Sequence, residues 1–84
     1  MTVSFDQSAW EDYNHWQRAD PKMVSRINAL IRDIARDSYD GIGKPEPLQH
    51  AWAGWWSRRI DRKHRLVYRV AGGVIQVAQC RYHY

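Results

Sequence analysis

Hydrophobic and polar residues follow two different rhythms along this chain of 84 residues. Thr2 to Phe5 alternates with period two, Val3 and Phe5 being apolar, and predicts a short strand. From Ser8 the period lengthens. Trp10, Tyr13 and Trp16 fall three apart, and Ser8-Ala9-Trp10-Glu11 has the form of a capping box. A helix is therefore predicted from Ser8 to about Arg18, with the aromatic stripe in the core. Asp20-Pro21 supplies an N-cap and a proline at the first position of a second helix. Met23, Ile27, Leu30, Ile31 and Ile34 give that helix an apolar stripe as far as Asp37. Arg26, Arg32 and Asp33 read as its solvated face. The two helices form a hairpin with almost no loop, and Asp40-Gly41-Ile42-Gly43 is rich in turn residues.

The second half returns to period two. Two prolines flank Glu46 in Lys44-Pro45-Glu46-Pro47, and each disfavours helix in the residue before it, so Glu46 is held extended. Trp52–Ile60, Arg65–Val70 and Val74–Tyr82 predict three successive antiparallel strands. An odd loop around Asp61-Arg62-Lys63 puts Trp56, Ile60, Leu66, Tyr68 and Val70 on one face, with Arg58 as the exception. Trp55, Ser57, Arg59, Arg65, Val67 and Arg69 then share the other face. Arg59 and Arg65 become cross-strand neighbours, an unfavourable pairing unless an anion lies between them. At Ala71-Gly72-Gly73 a three-residue loop is the preferred reading. It places Arg81 and His83 on the arginine face, whereas a two-residue Gly-Gly turn suits Ile75 and Val77. The elements add up to one α+β domain spanning residues 1–84. Its antiparallel sheet carries an N-terminal helical hairpin packed on one face.

A domain of this size has a thin core, which five Trp and five Tyr help to fill. The single cysteine, Cys80, excludes an internal disulfide and a Cys-based zinc site. No apolar run has the length of a signal peptide or a membrane span, so a cytoplasmic location without membrane partners is expected. Charge is divided unevenly. Residues 1–40 carry five Lys or Arg against seven Asp or Glu, a net of −2, and residues 41–84 carry eight against two, a net of +6. A basic half points to a polyanionic partner.

Which chemistry the basic half serves depends on its few other polar groups. His15, His50, His64 and His83 lack metal-ligand spacing, and Gly41-Ile42-Gly43-Lys44 has neither the glycine spacing nor the Ser/Thr of a P-loop. No metal and no cofactor are expected. RNA cleavage without a metal fits better. The 2′-hydroxyl of RNA can attack its own adjacent phosphate, which requires a base, an acid for the leaving oxygen, and cations for the charge on phosphorus. Glu46 can serve as base, being the only acid between Asp40 and Asp61. His83 can serve as acid, with Arg65 and Arg59 holding the phosphate oxygens and Tyr84 positioning phosphate or imidazole. Lys44 and Arg81 lie beside these groups in sequence and join them as candidate RNA-binding residues.

The residues also carry a resemblance. Gly-Lys-Pro-Glu-Pro-Leu at 43–48, Trp-Ser-Arg-Arg-Ile at 56–60, His-Arg-Leu-Val-Tyr at 64–68 and Cys-Arg-Tyr-His-Tyr at 80–84 resemble, in order, the YoeB (Txe) toxins of the RelE/ParE superfamily. Trp10, Asp12-Tyr13 and Trp16 match as well. The resemblance implies a RelE-like microbial RNase fold and a toxin of a type II toxin–antitoxin system. It implies a ribosome-dependent mRNA endonuclease that cuts in the A site, amid 16S rRNA, and is silenced by a cognate antitoxin; a homodimer is also possible for such a chain. By similarity Glu46 is base, His83 acid, Arg65 the phosphate stabiliser, Tyr84 an assistant and Arg59 a phosphate contact. Gln49 departs, standing where the resemblance implies lysine, and Trp55 replaces a different aromatic. Rival readings are a ParE-like toxin that binds a topoisomerase without cutting RNA, and a plain RNA-binding module.

Overall fold

The computed structural model describes residues 1–84, as two helices laid on one face of a five-stranded sheet. The strands are β1 (Thr2–Phe5), β2 (Glu46–Pro47), β3 (Trp56–Arg59), β4 (Arg65–Ala71) and β5 (Val74–Gln79), in the order β1-β5-β4-β3-β2. Strands β3, β4 and β5 are the three expected antiparallel strands, and the extended Glu46–Pro47 adds to them as a fourth. Strand β1 joins β5 in parallel at the far edge, which makes the sheet mixed.

Helix α1 (Gln7–Ala19) is capped by Asp6, whose Oδ1 accepts from the Ala9 amide at 2.8 Å. The predicted cap, Ser8, lies inside the first turn, and its hydroxyl donates to Ala78 O at 3.4 Å. The aromatic stripe is only partly core: Trp16 is 8% exposed, Trp10 49%. A spacing of three falls about 60° short of a full turn at each step, so Trp10 sits about 120° around the helix from Trp16. Asp20 ends α1 and caps α2 (Pro21–Arg36). Met23, Ile27, Leu30 and Ile34 are buried as predicted, against Leu66, Tyr68, Ile75 and Val77 of β4 and β5.

Of the three α2 residues read as a solvated face, Arg32 is exposed and Arg26 and Asp33 are not. Asp33 accepts from Arg58, and Arg26 donates to Ile60 O and Arg59 O. Arg58 explains why. It faces the helices and is fully buried, so it needs a counter-ion on that side.

The β3–β4 register is the odd one, with Arg59 opposite Arg65 and Ser57 opposite Val67. Strand β3 begins at Trp56, because His50–Trp52 form a 3₁₀ turn and Gly54 (φ 92°) bends the chain. The β4–β5 connection is the two-residue turn Gly72-Gly73, with φ of 58° and 75°, and not the preferred three-residue loop. Positive φ at both central residues is what a type I′ hairpin demands. A bulge opposite Val67/Tyr68 then resets the alternation. It lets Ile75, Val77 and Cys80 face the helices while Ala78 joins Val67 and Leu48 beneath Trp52 and Trp55 on the other face. Strand β5 ends at Gln79, so the last five residues are a tail. No helix is long and apolar enough to cross a membrane.

Candidate active site

Glu46 is placed by a chain of constraints that starts in the core. The Arg58 guanidinium donates to Asp33 Oδ2, to Asp37 O at 2.6 Å and to Ile42 O at 3.2 Å. Its Nε donates to the Tyr68 hydroxyl, which donates in turn to Ser38 O at 2.6 Å. These bonds fix the loop that follows α2. Arg36, Arg58 and the Ile42 amide together hold the Asp33 carboxyl far below the usual carboxylate range. Gly43 is then drawn against the sheet: its carbonyl accepts from Arg59 N at 2.6 Å. A Cβ there would lie 2.7 Å from Leu30 Cδ2, and φ is 80°, so only glycine fits. Three residues on, Glu46 pairs with Ser57 and Pro47 with Trp56. Prolines give no amide to a ladder, which keeps β2 short and at the edge.

The tail comes to Glu46 from the opposite direction. At Cys80 the backbone is held by α1: its amide donates to Asp12 Oδ2 at 3.1 Å and its carbonyl accepts from Trp16 Nε1 at 2.9 Å. Burial raises the Asp12 carboxyl and pushes the Cys80 thiol up to about 12, so the thiol is inert. At Tyr82 the amide donates to His64 Nδ1 and the carbonyl accepts from Arg65 N. At Tyr84 the phenol donates to Glu46 Oε1 at 2.8 Å and lies 3.5 Å from Ser57 Oγ. The His83 ring stacks on the Tyr84 ring with centroids 4.5 Å apart, and its Nδ1 is 3.1 Å from Tyr84 O. Tyr84 O is a carboxylate oxygen and only accepts, so Nδ1 carries the proton and Nε2 is left to exchange one.

Cations border this cluster. Residues paired directly across strands share a face, so Glu46, Ser57, Arg59 and Arg65 all lie on the helix-free side of the sheet. Arg65 is 9% exposed. Its Nη1 donates to Asp61 O, Arg62 O and His64 O, and no protein group takes its other nitrogens. The only carboxylate in ion pairs is Asp33, so Arg59, Arg65 and Lys44 have no acidic partner. Lys44 (φ 51°) is exposed two residues before Glu46.

Arg81 is not brought to the cluster. Its guanidinium lies over the rings of Tyr82, at 4.5 Å, and Trp16, at 5.9 Å, toward α1. The bulge in β5 had no visible signal in the alternation, and with it the expected arginine-face placement of Arg81 fails.

Between Glu46, Tyr84 and the turn from Leu48 to Trp52 lies a cavity of about 440 Å³. Leu48 and Trp52 give it an apolar wall, and Gln49 and His50 (φ 56°) give it polar groups. Ser57 and this wall were not singled out from the sequence. Ser57 could have been, since the strand register already put it on the arginine face.

The chain has close relatives. The family described as the YoeB-like toxin of bacterial type II toxin-antitoxin systems matches residues 5–84. Toxin YoeB of Streptomyces coelicolor is 52% identical over the full length of both chains. A solved YoeB/ParE toxin from Agrobacterium tumefaciens is 51% identical and superposes with a TM-score of 0.97 over both complete chains. The YoeB of Staphylococcus aureus is 46% identical, with a TM-score of 0.94 over 100% of this chain and 98% of that one. It has been solved in a heterotetrameric toxin–antitoxin complex with YefM and as a dimer.

Proposed function

We propose, for a chain that belongs to the YoeB-like toxins of bacterial type II toxin–antitoxin systems, that its toxic activity is endonucleolytic cleavage of mRNA on the ribosome. The observation that carries this reading is the bond from the Tyr84 phenol to Glu46, which sets the stacked His83 ring beside the one acid of the basic face.

Glu46 has one oxygen held by Tyr84, and its other oxygen is open to take the proton of a 2′-hydroxyl. The freed oxygen attacks the adjacent phosphorus, a 2′,3′-cyclic phosphate forms, and the bond to the 5′-oxygen breaks. That oxygen takes its proton from His83 Nε2, while Nδ1 stays bonded to Tyr84 O. Arg59 and Arg65, opposite one another and without acidic partners, supply the anion-binding pair that their like charges call for. Lys44 adds a point charge, and a splayed base can rest on the Leu48–Trp52 wall. Arg81, over the rings of Tyr82 and Trp16, contacts RNA from the other side of the tail. The mRNA is presented in the ribosomal A site, amid 16S rRNA, in the cytoplasm. A cognate antitoxin silences the toxin, as the Staphylococcus complex with YefM suggests, and self-association is open to it as to the Staphylococcus dimer.

Primer extension on a message in a purified translation system tests the reading. Wild-type chain is expected to produce cuts within codons only when ribosomes are present, and Glu46→Gln to lose them. Growth arrest without any cut, or arrest that follows topoisomerase inhibition, would turn the assignment toward a non-nucleolytic toxin.

A further inference from the structure

We propose that His64 is a positioning residue for this reaction: its Nδ1 pins the backbone of Tyr82 and so sets His83 and Tyr84 at the site. The proposal rests on the nuclease reading for its effect on cleavage, though not for the pin itself.

The tail needs such a pin. Tyr82 has φ of 66°, a left-handed conformation that a bulky side chain adopts only when its surroundings enforce it. Its amide donates to His64 Nδ1 at 2.7 Å, and its carbonyl accepts from Arg65 N at 3.0 Å and from Gln79 Nε2 at 3.4 Å. These are the last bonds from the sheet to the tail's backbone. Beyond them only the Tyr84 phenol reaches back, to Glu46 and Ser57.

His64 is itself firmly seated. Its amide donates to Asp61 Oδ1 at 2.7 Å, and its carbonyl accepts from Ile60 N at 3.0 Å. Its ring meets the buried Trp16 edge-on at 4.8 Å, and Trp16 Nε1 in turn holds Cys80 O. The acceptor therefore stands on α1 and the β3–β4 turn, not on the tail itself. One ring thus links the core to the two residues that follow Tyr82.

The bond also fixes a protonation state. A backbone amide can only donate, so Nδ1 must be bare and the neutral ring carries its proton on Nε2. Burial lowers the His64 pKa, Asp61 opposes it, and Lys63 and Arg81 together with His15 of α1 lower it further. The acceptor is consequently available at neutral pH. It is lost as pH falls through that depressed value, when the cationic ring can no longer accept.

Two variants of the whole chain separate positioning from mere packing. His64→Leu keeps apolar contact with Trp16 and removes the acceptor. His64→Asn places its amide oxygen where Nδ1 stands and does not titrate. In ribosome-dependent cleavage His64→Leu is expected to lower kcat by about 10- to 100-fold with KM within about twofold, and His64→Asn to restore most of the loss. By NMR, the Tyr82 amide should be protected from exchange in wild type at neutral pH and lose protection on acidification. It should be unprotected in His64→Leu at every pH, and protected throughout in His64→Asn. Thermal melting shows that each variant is folded under assay. Wild-type kcat in His64→Leu, or a Tyr82 amide equally protected in it, overturns the proposal, as does a folded His64→Asn as impaired as His64→Leu. If wild type cuts no message, the nuclease reading has failed, and amide exchange alone decides whether the pin exists.

Discussion

The Tyr84 phenol bonded to Glu46 Oε1 makes the two ends of the proposed reaction coordinate dependent on one hydroxyl. Removing it as Tyr84→Phe keeps the ring on which His83 stacks and frees the carboxylate to rotate. Both groups are exposed, so stability should change by less than about 1 kcal/mol. Cleavage should fall by about tenfold, the share of a lost orienting bond, while Glu46→Gln should lose about 10²- to 10⁴-fold, the share of a base. Single-turnover rates on ribosome-bound message measure both. Equal losses in the two variants would mean that the phenol takes part in the chemistry itself and is more than a brace.

At the scale of elements, β2 and the loop before it depend on Arg58 and Asp33, and that dependence has a pH signature. Asp33 has its carboxyl held well below its unfolded value, near 3.9, by Arg36, Arg58 and the Ile42 amide. A depressed carboxylate contributes stability that is complete above the unfolded value and is lost as pH falls through the folded one. Melting temperature should therefore drop steeply in wild type below about pH 4, and Asp33→Asn should be less stable at pH 7 with a flatter acid limb. A parallel acid limb in Asp33→Asn, followed by calorimetry, would place the acid-labile contact elsewhere. This pair also marks where the sequence stopped being legible. The apolar stripe of α2 and the segregated faces of β3 and β4 were readable because burial enforces a period. Arg58 was visible as the exception to that period, yet its partner lay 25 residues away on a stripe of charges, and spacing alone does not match one buried cation to one of several acids. The β5 bulge escaped for a related reason: one added residue reverses every side chain after it, and Val74 to Gln79 is apolar enough to satisfy either parity. Glu46, Arg65, His83 and Tyr84 were nameable from residue type and resemblance. Their roles already required the tail to meet Glu46; the bonds that hold it there were not legible, because those from Asp12 to Cys80, from His64 and Arg65 to Tyr82 and from Tyr84 to Glu46 join residues between 17 and 68 positions apart.

On the scale of the molecule, charge is divided along the chain, a net of −2 in residues 1–40 and +6 in residues 41–84. The acidic half supplies both helices, and the basic half supplies β2 to β5 and the tail. A polyanion approaching the helix-free side meets Arg59, Arg65 and Lys44 without passing the carboxylates of α1 and α2. Binding of single-stranded RNA by the inactive Glu46→Gln chain should then weaken as salt rises, each neutralised phosphate adding about 0.7 to the slope of log affinity against log salt concentration. Lys44→Gln and Arg59→Gln should each lower that slope by about this amount, and Gln49→Lys, which puts a cation at the mouth of the cavity, should raise it by as much. Arg32→Gln, on the exposed side of α2, should leave it unchanged. The contrast among these four charge changes is the test, because each alters the net charge by one unit. A slope that followed net charge alone, with Arg32→Gln as damaging as Arg59→Gln, would mean that RNA is drawn by the overall field and that the arginine face has no special claim on phosphate.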